Sequence, residues 1–150
     1  MRIELLIAAF IISGALTSHA ADRPIRFECR GLEKFEIKGT HDVDWAWGNI
    51  RSLDSQVVIG FSIGPMVEEL VPAERPAGFR SFKTFRINGV AIRYGYNVKM
   101  KQFQATLIGA PIQRKLNLVS RPQDRERLLS VAKIFTTAPC RFSFEGAPPN

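Results

Sequence analysis

FRINGVAIRYGY, residues 85–96, alternates apolar and polar side chains on both sides of Asn88-Gly89. Asparagine and glycine both tolerate positive φ, and that dipeptide between two alternating runs marks a two-residue hairpin. Such a turn sets the pairing. Ile87 meets Val90, Arg86 meets Ala91, Phe85 meets Ile92, Thr84 meets Arg93 and Lys83 meets Tyr94. Because the side-chain period of a strand is two, one face then carries Phe85, Ile87, Val90, Ile92 and Tyr94, and the other carries Thr84, Arg86, Ala91 and Arg93. Extending the second strand adds Asn97, Lys99 and Lys101 to the polar face, and Arg80 joins it if the first strand starts that early.

The same alternation spreads in both directions. Ile25, Phe27 and Cys29 interleave with Arg26, Glu28 and Arg30, and Phe35 and Ile37 with Glu36 and Lys38. These read as two strands broken at Gly31, an opening hairpin. Residues 57–63 form a more continuous apolar run suited to a central strand. Residues 65–78, with three prolines, read as a loop containing at most one helical turn. Residues 103–108 and 112–119 read as two further strands separated at Gly109-Ala110-Pro111.

Beyond Ser120 the period changes. Ser120 and Gln123 have the spacing of a capping box, Pro122 stands where a missing N–H costs nothing, and Asp124 and Glu126 suit the positive end of a helix. Leu128, Val131, Ala132 and Phe135 recur at helical spacing up to Pro139. An amphipathic helix over about residues 121–136 is expected. The fold class that follows is α+β: a mainly antiparallel sheet of about six or seven strands with one C-terminal helix. A small all-β barrel with a helix is the alternative.

The chain has 150 residues. Its start, MRIELLIAAFIISGALTSHA, has Arg2, an apolar stretch and small residues at positions 18 and 20, the pattern of an export signal cleaved after Ala20. The apolar stretch is shorter than the ~20 residues of a spanning helix. About 130 residues would remain, 21–150, a usual size for one domain, not membrane-spanning once processed. A hydrophobic fraction of 45% and a charged fraction of 23% match globular usage. Cys29 and Cys140 are the two cysteines. In an oxidising compartment an even pair is most simply a disulfide. A periplasmic or secreted location is therefore expected. The absence of any Asn-x-Ser/Thr acceptor sits better with a bacterial envelope than with a eukaryotic secretory route.

The net charge of +7 favours anionic partners. Arg86, Arg93, Lys99 and Lys101 are the candidate contacts, since arginine grips carboxylate and phosphate in bidentate fashion; Arg114 and Lys115 would approach them if the next strands pair in sequence. The bland alternative is a water-facing sheet surface. Trp45 and Trp47 share a face if extended. They serve either as core, the commoner role, or as a platform for a sugar or a partner protein. Gly60-Phe61-Ser62-Ile63-Gly64 matches the nucleophile-elbow pattern, but that fold places its histidine after the serine, and none follows His41. His41, Asp42 and Asp44 do not converge as metal ligands without a turn. No metal and no cofactor is expected.

The leading expectation is an exported, non-enzymatic binding protein, an inhibitor, immunity factor or adaptor, that meets an acidic protein or anionic envelope component through the basic face. A periplasmic lipid or sugar carrier is the second possibility, and a small hydrolase using Ser62 or the Asp42/Asp44 pair the third. Nucleic acid fits least well, because the aromatic residues sit on the face opposite the arginines.

Overall fold

A computed structural model describes residues 25–42, 45–74, 77–109, 115–138 and 140–144, with backbone alone for 26, 27 and 142–144. The export segment, Asp44, Arg114, Pro139 and the tail 146–150 lie outside the described residues. The elements in chain order are β1 (Ile25–Cys29), β2 (Phe35–His41), β3 (Ala46–Ser52), β4 (Val58–Gly64), β5 (Phe79–Ile87), β6 (Val90–Asn97), β7 (Gln102–Ile108), β8 (Lys115–Ser120), α1 (Arg125–Thr137) and β9 (Cys140–Phe144). A 3-10 turn over Pro122–Asp124 leads into α1. This is the α+β class, an open antiparallel sheet of seven strands with one C-terminal helix.

The sheet order is β2-β3-β4-β8-β7-β6-β5. It consists of two meanders, β2-β3-β4 and β5-β6-β7-β8, joined where β4 pairs antiparallel with β8. The β5–β6 hairpin has the register that Asn88-Gly89 dictates, from Ile87 opposite Val90 to Lys83 opposite Tyr94. Asn88 and Gly89 take φ of 50° and 83°, the left-handed values a primed hairpin turn requires. A bulge between Arg80 and Lys83 then shifts the pairing, with Ser81 at φ 54°. The bulge sets Arg80 opposite Tyr96 and Phe79 opposite Asn97. Arg80 therefore takes the aromatic face in register and does not extend the Arg86 row.

One face of the sheet, here the inner face, packs on α1. Ile92, Phe103, Ala105, Leu107, Leu116 and Leu118 are buried there against Leu128, Val131, Ala132 and Phe135 of the helix. The helical stripe is the one its spacing indicates. Its start differs: Arg121 is the N-cap of the 3-10 turn without a side-chain bond, and Ser120 Oγ lies 3.0 Å from Arg121 O. Arg121 instead donates to the buried Asp124 at 2.7 Å, so the capping box does not form.

The opening hairpin does not form either. β1 pairs with β9, Cys29 directly opposite Cys140, while β2 pairs with β3. The disulfide closes that pair, with Cα atoms 4.3 Å apart. Ile25 is buried, and its Cδ1 lies 2.7 Å from where a Cβ on Gly39 would stand. The β1–β9 ribbon thus covers the β2 end of the inner face, beside the helix.

Candidate functional site

Topology decides what lies on the outer face. The chain leaves β4 in the middle of the sheet and must reach β5 at the far edge, so residues 65–78 have to pass β8, β7 and β6. The described residues 65–74 do so over the outer face, as an irregular strap, each strand being met in turn. Asn117 on β8 donates through Nδ2 to Glu68 O at 2.7 Å and accepts from the Leu70 N–H at 3.3 Å. Thr106 on β7 accepts from the Val71 N–H at 3.0 Å and donates to Asn117 Oδ1 at 2.7 Å. Arg93 on β6 donates to Glu69 Oε2 at 2.6 Å, and Lys115 Nζ lies 3.8 Å from the other oxygen of that carboxylate. At the end of the crossing Phe79 is buried and packs over Gly95.

A strap without regular structure carries backbone groups that must find partners once covered. Asn117 and Thr106, both fully buried, supply them. The remaining Nδ2 proton of Asn117 points to Ser62 Oγ at 3.3 Å. All four hydrogen-bonding positions of the Asn117 amide are therefore engaged.

Where the strap lifts away from β3 and β4 it leaves an open cleft of about 680 Å³. Trp45, Met66, Val67 and Leu70 supply its apolar lining; Asp42, Ser62, Glu68 and Asn117 supply the polar groups. Asp42 and Trp45 flank the β2–β3 turn and are tied by an N–H to carbonyl bond of 2.8 Å. Trp47 lies opposite Ser62 in register, and its ring stacks on Trp45 with centroids 4.0 Å apart and planes at 27°. The two indoles are outside the core: Trp47 is half-buried, and Trp45 keeps 40% of its surface exposed and Met66 80%. The commoner expectation for tryptophan, core, is corrected here. The aromatic core is built from phenylalanine instead.

The basic residues do not make one stripe. Arg93 is turned to Glu69, its side chain 16% exposed. Arg86 is exposed at the β5–β6 turn, its Nη1 3.4 Å from Gly89 O. Lys99 and Lys101 are exposed in the β6–β7 turn, since β6 ends at Asn97. The length of β6 separates these two lysines from Arg86, about 20 Å at ~3.3 Å per residue.

Ser62 lies within β4, not at a strand-to-helix turn, and among the described residues no helix follows it before β5. The G-x-S-x-G match is thus a strand segment and does not build an elbow, which needs that turn. The structure does bring Ser62 and Asp42 to one cleft, whereas His41 pairs with Ala46 on the inner face in register. Among the described residues no group of three or more His, Cys, Asp or Glu side chains comes together as a metal site, and no helix is long and apolar enough to cross a membrane.

The strap and its cleft were not legible as a site in the sequence. The signal that bore on them was the pair of tryptophans beside carboxylates, together with a proline-rich segment too long for a hairpin turn. Comparison with known proteins finds no family model, no curated protein and no solved structure that matches this chain.

Proposed function

We propose that the chain is a non-enzymatic binding protein of an oxidising, extracytoplasmic compartment, and that its ligand site is the tryptophan-lined cleft between β3, β4 and the strap. The disulfide supports the compartment. The observation that carries the site is the placement of Trp45, which lines a cleft of about 680 Å³ and is backed by the stacked ring of Trp47 outside the core. Large aromatic and methionine side chains left exposed around a concavity are the composition of a binding hot spot. A cleft of this size falls within the range of ~300–1,000 Å³ usual for ligand sites.

The basic-face reading carries less. Its central member, Arg93, already has a carboxylate partner in the chain itself, and the remaining cations stand at opposite ends of the hairpin. A carrier that encloses its cargo between sheet and helix is also less well supported, because helix and ribbon side chains fill the inner face. The test is a side-by-side capture from an extracytoplasmic extract. Trp45→Ala/Met66→Ala is compared with Arg86→Glu/Lys99→Glu/Lys101→Glu, and any identified partner is then titrated by calorimetry. Loss of binding in the first variant and retention in the second is the expected result; the reverse pattern overturns the assignment.

A further inference from the structure

The cleft is where the charge of this protein changes sign. The chain carries a formal charge of +7, yet the ionisable groups lining the cleft are the carboxylates of Asp42 and Glu68. Arg93 and Lys115, on the same face, are drawn to Glu69. Among the described lining residues an anionic ligand would therefore meet carboxylates and no cation. A neutral sugar would find an indole to stack on but no amide, because Asn117 is committed to the strap and to Ser62.

Resting on the cleft reading above, we infer that the occupant is a basic side chain, arginine or lysine, presented by a segment of a partner protein. Three interactions converge on that chemistry. The indole face of Trp45 attracts a cation electrostatically. Met66 and Leu70 offer apolar surface to an aliphatic stem. The exposed carboxylate of Glu68 supplies the counter-charge, and a guanidinium or ammonium bonds a carboxylate more strongly than a neutral donor would. A volume of about 680 Å³ exceeds what one side chain fills, so the basic residue enters with its chain neighbours.

The protein reports on itself, since of its two tryptophans Trp45 lines the cleft and Trp47 stacks on Trp45, and intrinsic emission has no other indole source. The probes are a tetra-arginine peptide, a tetra-glutamate peptide and chitotetraose, each titrated against the disulfide-bonded chain. Glu68→Lys is the test variant; its side chain takes no part in the Asn117 bond, which uses the backbone carbonyl. Glu74→Lys, exposed further along the strap, makes the same change in net charge outside the cleft lining. Tetra-arginine is expected to change the emission saturably. Glu68→Lys should weaken that response about tenfold or more, roughly the worth of one charge-assisted hydrogen bond, and Glu74→Lys should leave it within about twofold. Equal weakening in both variants would mean diffuse electrostatics and overturns the inference. A saturable response to chitotetraose or tetra-glutamate alone overturns the basic occupant while leaving the cleft as the binding site. Silence with all three probes also overturns the basic occupant, and the capture experiment then judges the cleft separately.

Discussion

Arg93 and Glu69 lie 24 positions apart in the chain and hold the strap to the sheet it crosses, guanidinium to carboxylate at 2.6 Å. Both side chains are largely covered, at 16% and 29% exposure. Such a pair lies between a surface ion pair, worth ~0–1 kcal/mol, and a buried one, whose disruption from one side costs ~3–5 kcal/mol. Glu69→Gln leaves Arg93 and Lys115 facing each other without their shared carboxylate, and about 1–2 kcal/mol of stability should be lost. Urea denaturation measures the loss. Hydrogen exchange locates it, with the Leu70 and Val71 amides expected to exchange faster and the Ile92 and Leu107 amides unchanged.

Asn117 and Thr106 act as one unit in pinning the strap. Asn117→Leu keeps the volume but leaves the Glu68 carbonyl and the Leu70 N–H without their buried partner. Unmade buried hydrogen bonds cost ~1–3 kcal/mol each, so a loss of about 2–6 kcal/mol is expected. Thr106→Val removes the hydroxyl that Val71 and Asn117 share. Since the two residues bond to each other, the double variant should be destabilised by at least about 0.5 kcal/mol less than the sum of the single ones. Strict additivity in chemical denaturation would show that the network does not act as a unit.

Acid should weaken the turn after β1. Both oxygens of Glu33 accept from the Gly31 N–H, at 2.9 and 2.8 Å, and that backbone donor holds the Glu33 carboxyl below its ordinary value of 4.5. A carboxyl lowered in the folded state adds stability that is present above its unfolded value and disappears as pH falls through the folded one. Glu33→Gln should therefore be slightly less stable than the parent at pH 7 and flatten the pH dependence below pH 4.5, the two proteins converging as the carboxyl is protonated. Because Glu33 is exposed, the difference is small, and parallel thermal melts of the two proteins across that range are the measurement. Identical slopes would refute it.

Local rules reached the elements and stopped at their partners. The β5–β6 register was readable because Asn88-Gly89 admits one turn geometry and the turn determines every pair that follows. The apolar stripe of α1 was readable from spacing alone. The β1–β9 pairing was not, since it depends on where α1 returns the chain, although Cys140-Arg141-Phe142-Ser143-Phe144 alternates over the same length as β1. β3 was missed for another reason: Gly48 and Asn49 interrupt its apolar pattern where the fold needs close packing. The site was hidden because the strap crosses the sheet for topological reasons, and its polar anchors, Thr106 and Asn117, sit on neighbouring strands far from it in sequence.

Gly39 and Gly48 face each other across β2 and β3. A Cβ on Gly39 would stand 2.5 Å from Trp47 O and 3.0 Å from Phe61 Cζ, besides its collision with Ile25. The backbone carbonyl cannot move aside as a flexible side chain would. Gly39→Ala should thus cost about 1–3 kcal/mol, the usual range for overpacking, despite the better strand propensity of alanine. Gly89→Ala, with open space around its Cβ, is strained only through its positive φ and should cost less than Gly39→Ala. Urea midpoints of the two variants decide the order.

The disulfide joins positions 111 residues apart, so its removal should act mainly by releasing the unfolded chain. For a loop of this length the chain-entropy estimate is about 4–5 kcal/mol, a large share of the ~5–15 kcal/mol typical of a folded protein. Cys29→Ser/Cys140→Ser should lower stability by nearly that amount. The loss should not be uniform. The seven-stranded sheet has its own hydrogen-bond ladder, whereas β1 and β9 form a separate two-stranded ladder with each other and rest on β2 through side chains such as Ile25. A two-stranded ribbon is marginal alone in water. In the serine variant the β1 and β9 amides should therefore lose exchange protection ahead of those of β7 and β8, while the tryptophan emission, which comes from the other face, stays unchanged until the sheet itself unfolds. Simultaneous loss of protection in both regions would show instead that ribbon and sheet form a single cooperative unit held by the crosslink.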